Sequence, residues 1–305
     1  MKIGFALPNI GPISTAEAVA KVAQRAEALG YHSLWTIERL LWPVKPQTPY
    51  PGSPDGTLPE PYKQILDPLE ALTFAAAHTK TVTLGTSVLD IPYHNPVMLA
   101  RRLTTLDHLS DGRARLGLGL GWSKDEMDAV GADMKKRGAM ADEFLQVLKA
   151  IWTTNPVEFH GEFYHIPKSY IGPKPVRKPH PPIYLAAFAP AAMKRVATLA
   201  DGWNPVTIPL DGMAQMFAAV KQMAKDAGRD PSSLAMIVRA NLEIRDKPAS
   251  DKRMLFSGTI DQIKEDIAGC KDIGAQELFF DPTFSPGAQS LDRWLALMEQ
   301  FRKLA

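Results

Sequence analysis

The sequence predicts one α/β domain over residues 1–305, a (β/α)8 TIM-like barrel with insertions after the second strand and before the fifth. Short β-rich runs alternate with amphipathic helical runs along the whole chain, as expected for parallel strands joined by crossover helices. Eight such β units occur, and a single closed barrel of 305 residues is normal. An open doubly wound sheet is the alternative, but a single such sheet would have to accommodate all 305 residues, because the sequence shows no domain break.

The eight predicted strands are short and rich in apolar or β-branched residues. The first begins almost at the N-terminus, with KIGFALP, and the fourth is the run RARLGLGLG. In chain order the predicted strands cover 2–8, 33–38, 82–89, 113–121, 181–187, 202–206, 234–244 and 276–281.

Helix ends are predicted from capping residues. Ser14 with Glu17 predicts a capping box for the first helix, which ends at Gly30. Asn95-Pro96 predicts the start of the helix after the third strand. Thr259 with Gln262 predicts a second capping box. The other predicted helices cover about 139–153, 190–200, 211–227 and 291–304.

Two connections are too long to be simple loops. Residues 39–67 are proline-rich and follow the second strand, so they lie at the C-terminal mouth of the barrel, where barrel active sites occur. Their apolar side chains either line a lid over the pocket or pack as a satellite core; these are Leu40, Leu41, Trp42 and Tyr50. Residues 154–181 run from a helix back to a strand, and they either stay at the bottom face or climb the barrel wall.

Composition excludes several classes of function. The formal charge is +2, with 35 basic and 33 acidic residues interspersed, which argues against nucleic acid or an anionic membrane as partner. The N-terminus does not resemble a signal peptide, and the chain contains no apolar run of membrane-spanning length. We therefore expect a soluble cytoplasmic protein.

The sequence contains no motif for a metal site or for a catalytic nucleophile. The one cysteine, Cys270, lies on a helix face and is expected to be a core thiol. No histidine or cysteine cluster has zinc spacing, and GxSxG is absent. A barrel of this kind suits an organic cofactor that carries the chemistry itself.

The segment GLGLGW, residues 117–122, is not a phosphate loop. Its glycines Gly117, Gly119 and Gly121 have a period of two, which does not fit G-x-G-x-x-G and places them on one side of a strand. We expect the intervening leucines to face the helices. Gly117 makes room for side chains of other strands, whereas Gly121, beside Trp122 at the mouth, admits a planar ligand or another backbone.

Polar residues follow the strands at the predicted mouth. Glu38-Arg39, at the end of the second strand, are either a surface ion pair or a proton donor and an anion anchor. His94, after the third strand, is either a general acid or base or a solvated loop residue.

An anion site is predicted after the fifth strand. Ala187-Phe188-Ala189 leads into a helix that begins near Pro190, and free N–H groups at a helix N-terminus favour an anion. Lys194 and Arg195, one turn further along, could assist.

Several motifs together resemble the luciferase-like monooxygenase superfamily, and within it the F420-dependent oxidoreductase branch. They extend over nearly the whole chain and include FALP, AEALGYHSLWTIERLLWP, LGTSVLDIPYHNPVMLARRLTTLDHLSDGRARLGLGLGW, KRGAMADEFLQVLKAIW, PVEFHGEFYHI, GPKPVRKPHPPIYLAAFAPAAMKRVATLADGW and IGAQELFF.

This resemblance implies a flavin or deazaflavin at the C-terminal mouth of the barrel. It implies a bulge in the third strand, often with a non-prolyl cis peptide, at Ser87-Val88, against which the tricyclic ring packs. Gly121 and Trp122 would line the ring region, and Ala187, Phe188 and Ala189 would take the cofactor phosphate through their backbone. Glu38 and Arg39 match the strand end that flanks the ring, and with His94 they are the candidate catalytic residues.

The chain also departs from the pattern of some deazaflavin dehydrogenases. Those proteins have a catalytic histidine at the end of the second strand, where Arg39 stands here, and an acidic residue at the end of the fourth, where Trp122 stands. Sugar-phosphate dehydrogenation is therefore not expected.

The leading functional hypothesis is hydride transfer between a deazaflavin, coenzyme F420, and a small organic substrate. The enzymatic alternative is an FMN-dependent monooxygenase that uses reduced flavin and O2 with a separate reductase. A cofactor-storage protein and a metal-dependent hydrolase are the other classes; the polar mouth argues against the first, and the absence of metal motifs against the second. The resemblance also suggests a homodimer.

Overall fold

The protein is described by a computed structural model that covers residues 1–53, 55–250, 253–285 and 287–305. Its strands are β1 Lys2–Ala6, β2 Ser33–Thr36, β3 Thr83–Thr86, β4 Leu89–Asp90, β5 Ala114–Gly119, β6 Val157–His160, β7 His165–Ser169, β8 Ile183–Leu185, β9 Gly202–Trp203, β10 Ala235–Asn241, β11 Glu243–Ile244, β12 Ser257–Gly258 and β13 Glu277–Asp281.

The main sheet closes into the predicted parallel barrel. Its order is β3-β2-β1-β13-β10-β9-β8-β5-β4, and β3 also pairs with β5, which joins the two ends. The third predicted strand is divided into β3 and β4, so the barrel has eight staves, each corresponding to one predicted strand. The (β/α)8 prediction is confirmed, and the open-sheet alternative is wrong.

Helices surround the barrel. They are α1 Ala16–Ala28, α2 Pro68–Ala77, α3 Pro96–Leu109, α4 Lys124–Ala129, α5 Arg137–Thr153, α6 Pro190–Leu199, α7 Leu210–Asp226, α8 Ile260–Asp272 and α9 Leu291–Leu304. One large apolar cluster fills the space between strands and helices, and Leu116, Leu118 and Cys270 belong to it, as predicted. Across the described residues, no helix has the length and apolarity needed to span a membrane.

Two capping predictions had different outcomes. The Thr259–Gln262 capping box is confirmed at the start of α8. The Ser14–Glu17 box is wrong, because Thr15 is the N-cap of α1 and its side chain accepts the N–H of Ala18 at 3.2 Å. The Ser14 hydroxyl instead donates to the Gly11 carbonyl at 2.6 Å.

A buried polar layer closes the N-terminal half of the barrel interior. The Arg115 guanidinium bonds the Glu277 carboxylate at 2.7 Å and lies between the rings of Trp35 and Tyr184, 4.7 and 4.9 Å from their centroids. Ser33 donates to the same carboxylate at 2.5 Å. Within the described part of the barrel, the interior is therefore filled at this end, and the C-terminal mouth is the end at which a ligand could enter.

The first insertion packs over this mouth. Trp42 and Tyr50 join a satellite cluster around Ile10, Leu58 and Tyr62, as the satellite-core interpretation predicted. The insertion is also tied to the loop after β1, because the Leu66 N–H donates to the Asn9 carbonyl at 2.8 Å and Asn9 donates back to the Leu66 carbonyl at 3.0 Å.

The second insertion climbs the wall as the antiparallel hairpin β6–β7. Its turn reaches the middle of α5, where Glu143 accepts the N–H groups of Glu162, Phe163 and Tyr164. The bottom-face interpretation is therefore wrong.

Candidate active site

The third strand breaks at the mouth of the barrel. The peptide bond between Ser87 and Val88 is cis, as the family resemblance predicted. Two polar side chains hold this break from inside the barrel: the Ser87 hydroxyl donates to Asn204 Oδ1 at 2.7 Å, and Arg239 Nη1 donates to the Ser87 carbonyl at 2.9 Å. Arg239 is itself paired with Asp281 at 2.6 Å.

A small pocket lies beside this break. Its walls come from the C-terminal ends of β1, β2, β3, β10 and β13, and include Ala6, Asn9, Trp35, Thr36, Ile37, Ser87, Arg239, Phe279 and Asp281. Apolar walls with a few buried polar groups are typical of a small-molecule site.

Glu38 and Arg39 are not a surface ion pair, so that interpretation is wrong. They are only 6% and 7% exposed, and each bonds a different partner. Glu38 Oε1 lies 2.9 Å from His94 Nε2, and Glu38 Oε2 accepts the Asp90 N–H at 2.8 Å. His94 is therefore held at the mouth by a carboxylate, with 13% of its side chain exposed.

Arg39 is enclosed by protein groups. Its guanidinium bonds the carboxylate of Glu126 and lies over the rings of Trp122 and Tyr62, 4.7 and 5.5 Å from the centroids. Glu126, fully buried in α4, also accepts the Tyr93 hydroxyl at 3.0 Å and the N–H groups of Leu40 and Leu41. These contacts join the first insertion to α4, and they leave Arg39 engaged in a buried pair.

The glycines of β5 face the barrel interior, as predicted. A Cβ at Gly117 would collide with the Thr86 carbonyl oxygen, which supports the prediction that Gly117 makes room for other strands. A Cβ at Gly119 would lie 2.7 Å from Val88 Cγ2. Gly121 has φ +67° and directs its N–H to Asp90 Oδ1 at 2.9 Å. Its Cβ position lies 2.7 Å from Met127 Cε, so a protein side chain is already close to this glycine.

Asp90 is the most perturbed acid of the mouth. Burial, followed by the charge of Glu38, raises the pKa of Asp90 to about 7, while the nearby Arg39 opposes the shift. Burial also raises the pKa of Tyr93, so its hydroxyl stays protonated and donates to Glu126.

The predicted anion site is the first turn of α6. Ala187 is buried, Phe188 is 55% exposed, and Ala189 is the N-cap residue. No side chain caps α6, so its first N–H groups remain free for an anion; α5 and α7 also begin without a capping side chain. Arg195 cannot assist as predicted, because it is 7% exposed and bonds Asp142 at 2.6 Å.

Sequence reasoning missed four residues of this mouth: Asn204, Glu126, Arg239 and Asp281. Glu126 lies on α4, a helix that no pattern predicted. Arg239 carried a usable signal, since it is the one charged residue inside the apolar run LAMIVRAN. Among the described residues no cluster of His, Cys, Asp or Glu could hold a metal ion.

The fold and the mouth define a parallel (β/α)8 barrel protein with its site at the C-terminal strand ends. Residues 1–255 match the family model of the luciferase-like monooxygenases, so the chain belongs to that family, whose members are oxidoreductases and monooxygenases.

Two relatives illustrate the sequence likeness. An uncharacterised protein of Mycobacterium tuberculosis is 36% identical over 236 residues, 76% of this chain and 80% of its own length. An FMNH(2)-dependent dimethylsulfone monooxygenase of Pseudomonas putida is 31% identical over 128 residues, 41% of this chain and 35% of its own length.

Two solved structures share the fold. Monooxygenase RslO1 from Streptomyces bottropensis has a TM-score of 0.81 at 22% identity, covering 99% of this chain and 98% of its own. An F420-dependent secondary alcohol dehydrogenase in complex with an F420-acetone adduct has a TM-score of 0.79 at 18% identity, covering 100% of this chain and 98% of its own. Deazaflavin and flavin proteins thus both occur among its relatives.

Proposed function

We propose that this protein is an oxidoreductase that binds coenzyme F420 at the C-terminal mouth and transfers a hydride to or from a small organic substrate. The observation that carries the proposal is the pocket at the C-terminal strand ends, whose lining combines apolar side chains with the buried polar residues Ser87, Arg239 and Asp281. The similarity of the whole fold to an F420-dependent secondary alcohol dehydrogenase supports it.

The residues fit such a cofactor at two places. The first turn of α6 offers free N–H groups for a phosphate, and the segment that leads into it runs from the buried Ala187 through the exposed Phe188 and Ala189. The end of β3 offers a broken strand for the face of a ring, at Ser87 and Val88. Gly121 and Trp122 follow β5 on the neighbouring stave, and we propose that they border the ring.

The chain's own residues then orient the reactants and exclude water. Bound F420 supplies or accepts the hydride. The first insertion covers the mouth and is fastened through Glu126 to α4, which shields the reacting atoms from solvent. Glu38 fixes the ring of His94, and both can hold a proton near the substrate. Arg39 acts through Glu126 and keeps the insertion in place.

Fluorescence titration of the purified protein with F420 and with FMN tests the proposal. We expect F420 to bind more tightly than FMN. Tight FMN binding with no F420 binding would contradict it and would favour the alternative function.

A charge placed at the phosphate site makes the test sharper. Ala189→Asp adds a capping carboxylate to α6, which stabilises the helix but repels a phosphate. We expect the Ala189→Asp variant to bind F420 about tenfold more weakly or worse, which corresponds to a loss of about 1.4 kcal/mol of binding free energy. Thr15→Asp is the matched control, because it places the same charge at an exposed N-cap of α1.

The alternative function is an FMN-dependent monooxygenase working with a separate reductase. The observation that favours it is the likeness of part of the chain to the dimethylsulfone monooxygenase of Pseudomonas putida. Consumption of O2 with reduced FMN and substrate, and not with F420, would support this alternative.

We also propose a cytoplasmic homodimer with a small-molecule substrate, working with a reductase that regenerates the cofactor. Light scattering on the purified protein measures the oligomeric state, and a monomer at micromolar concentration would contradict the dimer.

A further inference from the structure

Arg239 is buried at the mouth with one hydrogen bond unmade. It lies near the end of β10 and is 8% exposed. Its Nη1 and Nη2 donate to the Ser87 carbonyl and to Asp281, and all three residues line the same pocket. Its Nε is buried and has no hydrogen-bond partner in the described part of the chain. A buried donor without a partner is costly, so we expect a group in this pocket to accept the Nε hydrogen.

The other side-chain donors of the lining are largely occupied by protein oxygens. Those that bond protein belong to Asn9, Trp35, Thr36 and Ser87. The Thr283 hydroxyl completes the set, and as a hydroxyl it can rotate to meet a bound group. Arg239 Nε is thus the fixed donor that this pocket offers, and the group that binds there is a hydrogen-bond acceptor.

The charged residues of the lining form a neutral pair. Arg239 and Asp281 are bonded at 2.6 Å. Both carboxylate oxygens of Asp281 are engaged, Oδ2 by Arg239 and Oδ1 by the N–H of Thr283 at 3.0 Å. An anion in this pocket would find its cation already paired and would meet the charge of Asp281, so its loss of water would be poorly compensated. An uncharged oxygen is therefore preferred to a carboxylate or a phosphate.

The pocket is small, with room for about one water-sized group. It therefore takes the oxygen-bearing end of a ligand, and a single water in its place.

The pocket lies on the half of the mouth opposite the residues proposed for the cofactor. Its walls come from β3, β2, β1, β13 and β10, which are consecutive in the barrel. The residues proposed for the cofactor follow β3, β5 and β8, on the other half, and Ser87 is common to both groups. A ligand group that reaches Arg239 therefore belongs to the second reactant, the substrate.

We propose that Arg239 Nε binds an uncharged oxygen at one end of the substrate, and that one water takes this place when the substrate is absent. The oxygen can belong to a carbonyl, an ether or a hydroxyl group, whereas carboxylate, sulfonate and phosphate ends are rejected. Arg239 thus selects the substrate by charge, and through the Ser87 carbonyl it positions that end beside the broken strand. The proposal rests on the proposed function in placing the substrate at this mouth.

A high-resolution crystal structure of the ligand-free wild-type protein tests the empty state. We expect an ordered water within about 3.2 Å of Arg239 Nε. A pocket without that water, or an Nε bonded to a protein group, would overturn the proposal. The cofactor is not needed here, so this result does not depend on F420 binding.

Nuclear magnetic resonance of the wild-type protein, labelled with 15N at arginine Nε, follows the donor itself. The probes are cyclohexanone with a neutral acceptor, cyclohexanecarboxylate with an anion, and methylenecyclohexane with no acceptor. We expect cyclohexanone to shift the Arg239 Nε–H resonance more than the other two probes do. A larger shift with cyclohexanecarboxylate would overturn the selection by charge, and equal shifts, or none, would overturn the binding role.

F420 alone distinguishes the source of the oxygen in the same experiment. We expect it to leave the Arg239 Nε–H resonance in place, and a shift would assign the oxygen to the cofactor and contradict the proposal. Failure of F420 to bind at all, measured by fluorescence, contradicts the proposed function alone.

A double variant tests the role by affinity. Arg239→Met with Asp281→Asn removes both members of the pair, so no buried charge is left alone. We expect it to bind cyclohexanone about tenfold more weakly, because a hydrogen bond to a charged donor is lost. Arg253→Met with Asp266→Asn is the matched control, since it removes a pair bonded at 2.7 Å that involves α8 and not the mouth.

We expect the control to bind cyclohexanone as the wild type does. Unchanged affinity in the Arg239 and Asp281 double variant would contradict the proposal. Should that variant fail to fold, the water and the Nε–H resonance of the wild type decide.

Discussion

Arg39 shows how a single residue joins separate parts of the mouth. It is buried between two aromatic rings, one from the first insertion and one from the segment after β5, and its charge is matched by Glu126 on α4. A buried ion pair adds little net stability, yet removing one partner is expensive because the other charge is left unpaired. The residue that the sequence offered as an anion anchor therefore has a structural role.

We expect Arg39→Met to reduce the free energy of unfolding by about 3 to 5 kcal/mol, because Glu126 then stays buried without a cation. Arg39→Lys keeps the charge and should cost less, although an ammonium cannot reproduce the planar stacking. Urea unfolding measures both variants. The double variant Arg39→Met with Glu126→Gln should recover part of the loss. Equal stability of Arg39→Met and Arg39→Lys would contradict this explanation.

Helix α1 shows what a pattern can and cannot predict for an element. The apolar face and the closing Gly30 were evident in the sequence, and Gly30 does adopt φ +75°. Two neighbouring hydroxyl residues could each begin the helix, and local sequence did not separate them. Thr15 is the N-cap because the Ser14 hydroxyl donates to the Gly11 carbonyl instead. The Gly11 N–H in turn donates to the Gln64 carbonyl of the first insertion.

Thr15→Ala should therefore destabilise the protein by about 1 kcal/mol, the usual value of an N-cap side chain. Ser14→Ala should cost less, because the Gly11 carbonyl that loses the hydroxyl still accepts the backbone N–H of residue 14 at 3.0 Å. Thermal unfolding of the two variants under the same conditions gives the comparison. A larger loss for Ser14→Ala would reinstate the capping box that the sequence predicted.

Barrel closure is a property of the whole molecule, and it depends on how closely β3 approaches β5. Gly117 lies at this approach, with the Thr86 hydroxyl accepting its N–H at 3.0 Å and donating to its carbonyl at 2.8 Å. No side chain fits between these two backbones, because a Cβ would meet the Thr86 carbonyl oxygen.

Gly117→Ala should cost about 3 kcal/mol or more, at the upper end of the range for overpacking a rigid core. Gly138→Ala is the matched control: it lies in the first turn of α5, its Cβ would have no neighbour nearer than 3.9 Å, and alanine favours a helix. We expect Gly138→Ala to equal or exceed the wild type in stability by urea denaturation. A tolerated Gly117→Ala would mean that the strands can separate locally.

The barrel was predictable because each strand and helix shows a local periodicity in the sequence, and the sequence contains eight such strands alternating with helices. Helices α2 and α4 were missed for different reasons: α2 follows a long proline-rich stretch, and α4 has only six residues. Within the site, Glu38, Arg39 and His94 were found because they follow strands at the mouth. Their partners could not be found, because Glu126 is 87 residues from Arg39 and Asn204 is 117 residues from Ser87.

The sequence by itself determined the barrel and the position of its mouth, since both follow from short segments with a local pattern. Its motifs also indicated the family, and that resemblance in turn implied the break at Ser87–Val88. The tertiary structure decided which charges pair. It showed that Glu38 and Arg39, adjacent in the chain, have separate partners, that Arg195 is not available to an anion, and that Asp90 accepts the N–H of Gly121. Those outcomes depend on burial and on contacts between residues far apart in the chain, and burial is what makes an unpaired charge costly.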